Sequence, residues 1–161
     1  MVIRPALPDE FEEIRSIFVH ARQFMQTAGN PDQWRDSYPP DDLIQADITS
    51  GACHICEMDG RIQAVFSRFL EDDSTYRFIE GAWLDDAPYC AVHRVASRGE
   101  RKGVASLCLQ WCLEQFKNVR IDTHRDNLPM QKVLAKNGFC CCGIIYLENG
   151  DPRLAFQRHI P

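Results

Sequence analysis

The stretch that most restricts how this chain can fold is Ala87–Ser106, APYCAVHRVASRGERKGVAS. An apolar strand gives way to a tight basic turn, Arg98-Gly99-Glu100-Arg101-Lys102-Gly103. After it, apolar residues recur at Val104, Leu107, Cys108, Trp111 and Cys112, the spacing of a helix with one buried face. A helix start leaves backbone N–H groups without partners, and the helix dipole adds partial positive charge there. With Gly99 and Gly103 letting the backbone come close, and Arg98, Arg101 and Lys102 beside it, the turn is suited to a pyrophosphate. No Gly-Lys-Ser/Thr triplet closes it, so it is not a P-loop. The G-x-G-x-x-G spacing of a dinucleotide fingerprint is also absent. An ordinary strand-to-helix loop remains the other reading of these residues alone.

A chain of 161 residues has the length of one domain, residues 1–161, and its 45% hydrophobic content is ordinary for a globular protein. No apolar run reaches the roughly 18 residues of a membrane span. The segment Met1–Asp9 lacks the basic-then-apolar form of a signal peptide, so a cytoplasmic protein is expected. The formal net charge of −5 argues against a nucleic-acid binder. The eight cysteines mostly sit inside apolar segments, where Cys acts as a small buried hydrophobe, and reduced thiols are expected. Cys53-His54-Ile55-Cys56 has the C-x-x-C spacing of a redox or zinc motif. On a strand, however, residues i and i+3 point to opposite faces. No second C-x-x-C follows at zinc spacing, so no metal is expected. A thiol-redox protein would need an exposed Cys of low pKa.

In chain order, Val2–Pro5 reads as a strand. Asp9 is placed to cap a helix from Glu10 to Gln26, with Phe11, Ile14, Ile17, Phe18, Ala21 and Phe24 or Met25 inward. Residues 30–40 read as a loop or broken helix, and 41–49 as a short helix with Leu43, Ile44 and Ile48 inward. Strands at 52–58 and 62–70 meet at Asp59-Gly60, a hairpin signal because both residues tolerate positive φ. Glu71-Asp72-Asp73-Ser74 is an acidic turn, either a solvated charge run or an attractor for a cationic amine. Residues 76–79 are expected to extend the sheet, and 81–86 to return to the central strand. A strand at 119–123 is followed by a helix to Asn137, with Asn127 as N-cap, Pro129 in the first turn and Gly138 past the end. A hairpin of 139–147 and 154–157 closes the chain. One α/β domain with a mixed sheet fits this order.

The order of elements, the basic turn within 92–106 and the later Asn127–Phe139, NLPMQKVLAKNGF, resemble the GNAT superfamily of acyl-CoA-dependent N-acetyltransferases, over nearly the whole chain. The resemblance implies an α+β fold: a mixed, mainly antiparallel central sheet flanked by helices, with a splayed parallel central strand pair. It implies acetyl-CoA as co-substrate and a primary amine of a small molecule or peptide as acceptor. It implies no nucleic-acid or membrane partner, and it allows a homodimer. The family loop pattern is Gln/Arg-x-x-Gly-x-Gly/Ala. Arg98 matches its first position and Gly103 its last, while Arg101 replaces the middle glycine. By resemblance, the backbone at Val95 and Ser97 pairs with the pantetheine arm like an added strand. Amides from Arg101 through Lys102, Gly103, Val104 and Ala105 to Ser106 hold the pyrophosphate, and Asn127 reaches the pantetheine from the other side.

Amine attack on a thioester requires that the amine lose a proton, that an oxyanion meet donors and that the thiolate gain a proton. A backbone N–H near Val95 is placed for the oxyanion. The acid in the family is often a Tyr four residues before the Gly-Phe pair. Here that residue is Leu134, so Tyr146, His124 or water must substitute, or no acid is needed. Candidate bases are His93 on the central strand, whose unperturbed pKa of about 6.5 suits the task, and Glu80 where the sheet splays. Asp122 and His124 bracket a strand end. Trp34, Tyr38 and Trp83 lie in irregular stretches and are expected to wall the acceptor cleft with His124. The missing Tyr keeps open a catalytically inactive acyl-CoA-binding regulatory domain.

Overall fold

Alternation of apolar residues places eight strands: β1 Val2–Pro5, β2 Cys53–Met58, β3 Arg61–Phe69, β4 Glu80–Gly81, β5 Cys90–Ser97, β6 Asn118–Thr123, β7 Cys140–Tyr146 and β8 Pro152–His159. The structure is a computed structural model that describes residues 1–70 and 73–161. The strands form one sheet in the order β1-β2-β3-β5-β6-β8-β7-β4. Among the described residues only β5 and β6 run parallel, and they pair over Cys90–Val92 against Val119–Ile121. Beyond Val92, β5 stays on β3 while β6 stays on β8, so the edge of His93–Ser97 that faces β6 is open. The mixed sheet with a splayed parallel centre is therefore present.

On its other edge β5 bulges. Arg94 and Val95 lie between the pairs Ser67↔His93 and Val65↔Ala96, and Arg94 takes φ 55°. A left-handed backbone costs a non-glycine residue about 1–2 kcal/mol. Asp47 holds Arg94 there, accepting Nε at 2.8 Å and Nη2 at 2.7 Å, and it also accepts the Ser67 hydroxyl at 2.6 Å. Both side chains are buried, so loss of either would strand a charge.

Helices cover both faces. On one, α1 (Phe11–Thr27) and α2 (Asp41–Thr49) pack Ile14, Ile17, Phe18 and Ile44 over Ile55 and Val65. Met25 joins this core while Phe24 stays exposed. On the other, α3 (Val104–Phe116) and α4 (Leu128–Lys136) cover Val92, Val119 and Phe156. The buried face of α3 is turned from the expected one. Leu109 and Leu113 join Val104, Cys108 and Cys112 in the core, Leu107 is half-buried, and Trp111 sits at the margin against His54 and Phe66. Cys53 and Cys56 belong to opposite cores, as strand alternation requires. Asp9 does not cap α1. It falls in a 3-10 turn, Pro8–Glu10, and Glu10 instead accepts the Leu7 amide at 2.7 Å and pairs with Arg4 at 2.6 Å. Asn127 does cap α4, accepting the Met130 amide at 3.1 Å.

The stretch 76–79 forms no strand, and 81–86 does not return to the central one. Ser74–Tyr76 is a 3-10 turn, and the segment 73–89 crosses a sheet face to add β4 to the edge of β7. Its aromatics gain more from that apolar face than from a ladder. Tyr76 is buried against Ala91, Ile145 and Ala155 with Trp83 and Tyr89 beside it. Among the described residues, no helix is long and apolar enough to cross a membrane, and no three His, Cys, Asp or Glu side chains are grouped to hold a metal.

Candidate active site

The splay opens into a cavity of about 860 Å³, walled by the α1–α2 loop, β5, the end of β6, the start of α4 and the β7–β8 loop. His93 is the residue of β5 at which pairing with β6 has ended, and it lines this cavity. Its Nε2 lies 2.8 Å from Asp73 Oδ2. Asp73 also accepts the amide and hydroxyl of Thr75, at 2.9 and 2.6 Å. Burial alone would raise the Asp73 carboxyl, but the hydrogen bonds from His93 and Thr75 overcome it and bring it down to about 2. Asp73 is therefore an acceptor, so Nε2 carries a hydrogen. Nδ1 faces Asp122 Oδ1 at 3.6 Å, and that oxygen accepts the Tyr76 hydroxyl at 2.7 Å. Burial and Asp122 hold the Tyr76 phenol well above its ordinary pKa, so it stays a donor.

The depressed Asp73 pKa has a signed consequence. A carboxyl whose folded pKa lies below its unfolded one stabilises the fold above the unfolded value, and the contribution is lost as pH falls through the folded value. Asp73→Asn is expected to lower the unfolding free energy near neutral pH by on the order of 2 kcal/mol. The gap to wild type should close as pH falls from about 4 to about 2. Urea titrations near neutrality and in mild acid check both the sign and the window.

Across the cavity, Gln33 ties the α1–α2 loop to the sheet. Its Oε1 accepts Asn30 Nδ2 and Asn127 Nδ2, both at 2.8 Å. Both polar atoms of the Asn127 side chain are thus engaged, one as cap and one on Gln33. Tyr38 Oη accepts Arg94 Nη1 at 3.1 Å. Trp34 lines the cavity but is also buried on Phe18, so it is a wall anchored in the core.

The structure brings His93, Asp122, Asn127, Trp34, Tyr38 and Val95 to this one cavity. Glu80 and Tyr146 are not there. They meet each other at the far edge of the sheet, on β4 and β7, three and two strands beyond β6, where Glu80 bonds the Tyr146 hydroxyl and pushes its pKa up. Glu80 misses the splay because β4 joins β7 rather than the centre. Trp83 is also elsewhere, stacked on Tyr76 and 4.2 Å from the Arg120 guanidinium. His124 lies past the end of β6, where Nδ1 accepts the Asp126 amide, and it is not in the cavity wall. Of the acidic turn, Glu71 and Asp72 lie outside the described residues, and Asp73 is the partner of His93.

From Val95 the open edge of β5 runs to Ser97 and the basic turn. Gly103 is the N-cap of α3 at φ 83°, and a Cβ added there meets nothing within 4 Å. The first helical bond is Leu107 N to Gly103 O at 3.2 Å, which leaves the amides of Val104, Ala105 and Ser106 at the free start of the helix. Lys102 is exposed beside them. Two side chains turn away from the expected task. Arg101 pairs with Asp59 of the β2–β3 turn, and the Ser106 hydroxyl accepts Asn137 Nδ2 at 2.9 Å. Arg98 is likewise held by Glu13 and the Ile62 carbonyl. An open strand edge leading to free amides over open space fits an extended arm ending in a pyrophosphate, carried by backbone more than by side-chain charge.

No family model matches the chain, and no curated relative does. Solved structures match over its whole length. A GNAT-family acetyltransferase from Streptococcus agalactiae is 32% identical over 99% of this chain and 95% of its own, with a TM-score of 0.90. The chain belongs to the GNAT family of acetyltransferases. A GNAT-family acetyltransferase from Listeria monocytogenes (16% identity, TM-score 0.72, 99% of this chain and 94% of its own) shares the fold. So does a ribosomal-protein-alanine N-acetyltransferase from Brucella melitensis (13% identity, TM-score 0.66, 99% of this chain and 100% of its own). This GNAT chain departs from the usual acid position plainly, for Leu134 is fully buried and α4 sends Met130, not a hydroxyl, into the cavity.

Proposed function

We propose that this GNAT acetyltransferase moves the acetyl group of acetyl-CoA to a primary amine of a small molecule or peptide, with His93 as general base. The observation that carries the reading is the His93 ring, fixed through Nε2 on Asp73 with its Nδ1 turned toward Asp122 inside the cavity. An ammonium donating to Asp122 lies within reach of Nδ1 for the proton it must lose. Asp73 orients the ring through Nε2. Tyr76, donating to Asp122, keeps that carboxylate aimed. Acetyl-CoA supplies the activated acyl carbonyl. The open edge at Val95 and Ser97, the amides of Gly103 to Ser106 and the side chain of Asn127 would hold it, Asn127 after exchanging its bond to Gln33.

The test is release of CoA thiol from acetyl-CoA across a panel of amines. Release that depends on a particular amine is expected. Tight acetyl-CoA binding without amine-dependent release would favour the non-catalytic acyl-CoA-binding reading, for which the absent hydroxyl at Leu134 is the supporting feature.

A further inference from the structure

We propose that the acceptor is an amino acid, a small amine carrying its own carboxylate, and that Arg153 binds that carboxylate. This rests on the N-acetyltransferase reading and narrows it. Arg153 stands on β8, is only 5% exposed, and lines the cavity. Its Nη1 donates to the Pro152 carbonyl at 2.9 Å and its Nη2 to the Gln33 carbonyl at 3.3 Å. Among the described residues no carboxylate is in ion-pair contact with it. The other cavity guanidiniums differ, since Arg94 has Asp47 at 2.7 Å and Arg35 has Asp151 at 3.2 Å. Burial lowers the Arg153 pKa, with Arg35 adding to the effect and Asp122 and Asp151 acting through space against it. A buried cation without an anion is costly, and this one borders open volume where an anion can enter.

Its position relative to the base sets the kind of anion. Asp122 pairs with Ala155 across β6 and β8. Side chains alternate along a strand, so Arg153 shares the face of Ala155 and is a diagonal neighbour of Asp122, about 7–8 Å away at the backbone. The cavity therefore presents an imidazole nitrogen and a carboxylate at one end and a guanidinium at the other. An ammonium suits the first and a carboxylate the second, and Arg binds carboxylates through paired donors. An amino acid holds both groups at that short separation. A polyamine would meet the other carboxylates of the cavity but would leave Arg153 facing a second cation.

The experiment compares wild-type kcat and KM for the standard amino acids, their carboxamides and a series of alkyl polyamines at saturating acetyl-CoA. Free amino acids are expected to show a KM lower than that of their carboxamides by about ten- to a hundredfold, the range for a hydrogen bond to a charged group, with similar kcat. Arg153→Gln is expected to raise the amino-acid KM to that of the carboxamide and leave the carboxamide unmoved, while Arg153→Lys keeps part of the preference. Equal KM values, or a preference for carboxamides or polyamines, would overturn the proposal and leave the N-acetyltransferase reading standing. Acetyl-CoA binding with no turnover of any amine would overturn both. The wild-type ratio decides even where Arg153→Gln does not fold.

Discussion

Gly103→Glu is expected to reduce acetyl-CoA binding below what calorimetry detects. Gly103 caps α3 at the point where the helix offers its free amides. A carboxylate there stands beside a dianionic pyrophosphate. At about 4 Å and an effective dielectric near 20, each like-charge pair costs on the order of 4 kcal/mol before salt screening. Half of that already weakens binding by more than about tenfold. The fold pays a separate and smaller penalty. The residue sits at φ 83°, so any L side chain is strained, although its Cβ would meet no neighbour. Strain of about 1–2 kcal/mol corresponds to a fall in Tm of roughly 2 to 8 °C for a chain of this size, with an unchanged circular dichroism spectrum. Gly103→Ala carries the strain without the charge and should lose little affinity. If the two variants lose affinity equally, the charge argument is wrong.

His93→Gln is expected to lower kcat by about a hundredfold or more at saturating acetyl-CoA, the usual worth of a positioned general base. The amide keeps a donor for Asp73 and fills a similar volume, so the network loses basicity rather than packing. Acetyl-CoA affinity should hardly move, because the proposed pyrophosphate site lies beyond the other end of β5. An unaltered kcat would assign proton removal to solvent and reduce His93 to a strut between Asp73 and Asp122.

The sheet and the helix starts were legible because they rest on local rules. Alternation marks β2, β3 and β5, the Asp59-Gly60 turn shows both its φ values positive at 52° and 73°, and Asn127 and Gly138 bracket α4 by capping chemistry. The edge proposed for acyl-CoA rests on the same kind of rule, since it is backbone at a strand end and a helix start. The acceptor side was not legible. Glu80 and Tyr146 were drawn to the centre by their places in the chain, but strand order is set by which faces bury the aromatics of 73–89, and that carried both to the rim. Gln33, Asp47, Tyr76 and Arg153 have no sequence motif. Their roles come from partners 20 to 120 positions away, as Asp47 with Ser67 and Arg153 with Gln33. The one trace left in the sequence is Arg153 on the inward register of β8, in step with the buried Ala155 and Gln157.

β1, β2, β3 and β5 come from residues 2–97, and β6, β7 and β8 from residues 118–159, so each half of the sheet is a nearly contiguous piece of chain. A seam of three residue pairs joins them, and the two residues of β4 are the one strand that passes from the first piece to the second. The seam pairs residues closer in sequence, Cys90 with Val119, than the first piece does where β1 meets β2, Val2 with Glu57. His93 belongs to one piece and Asp122 and Arg153 to the other. The proposed reaction centre is thus built across the seam, from both pieces of chain, and rests on a core that both of them share.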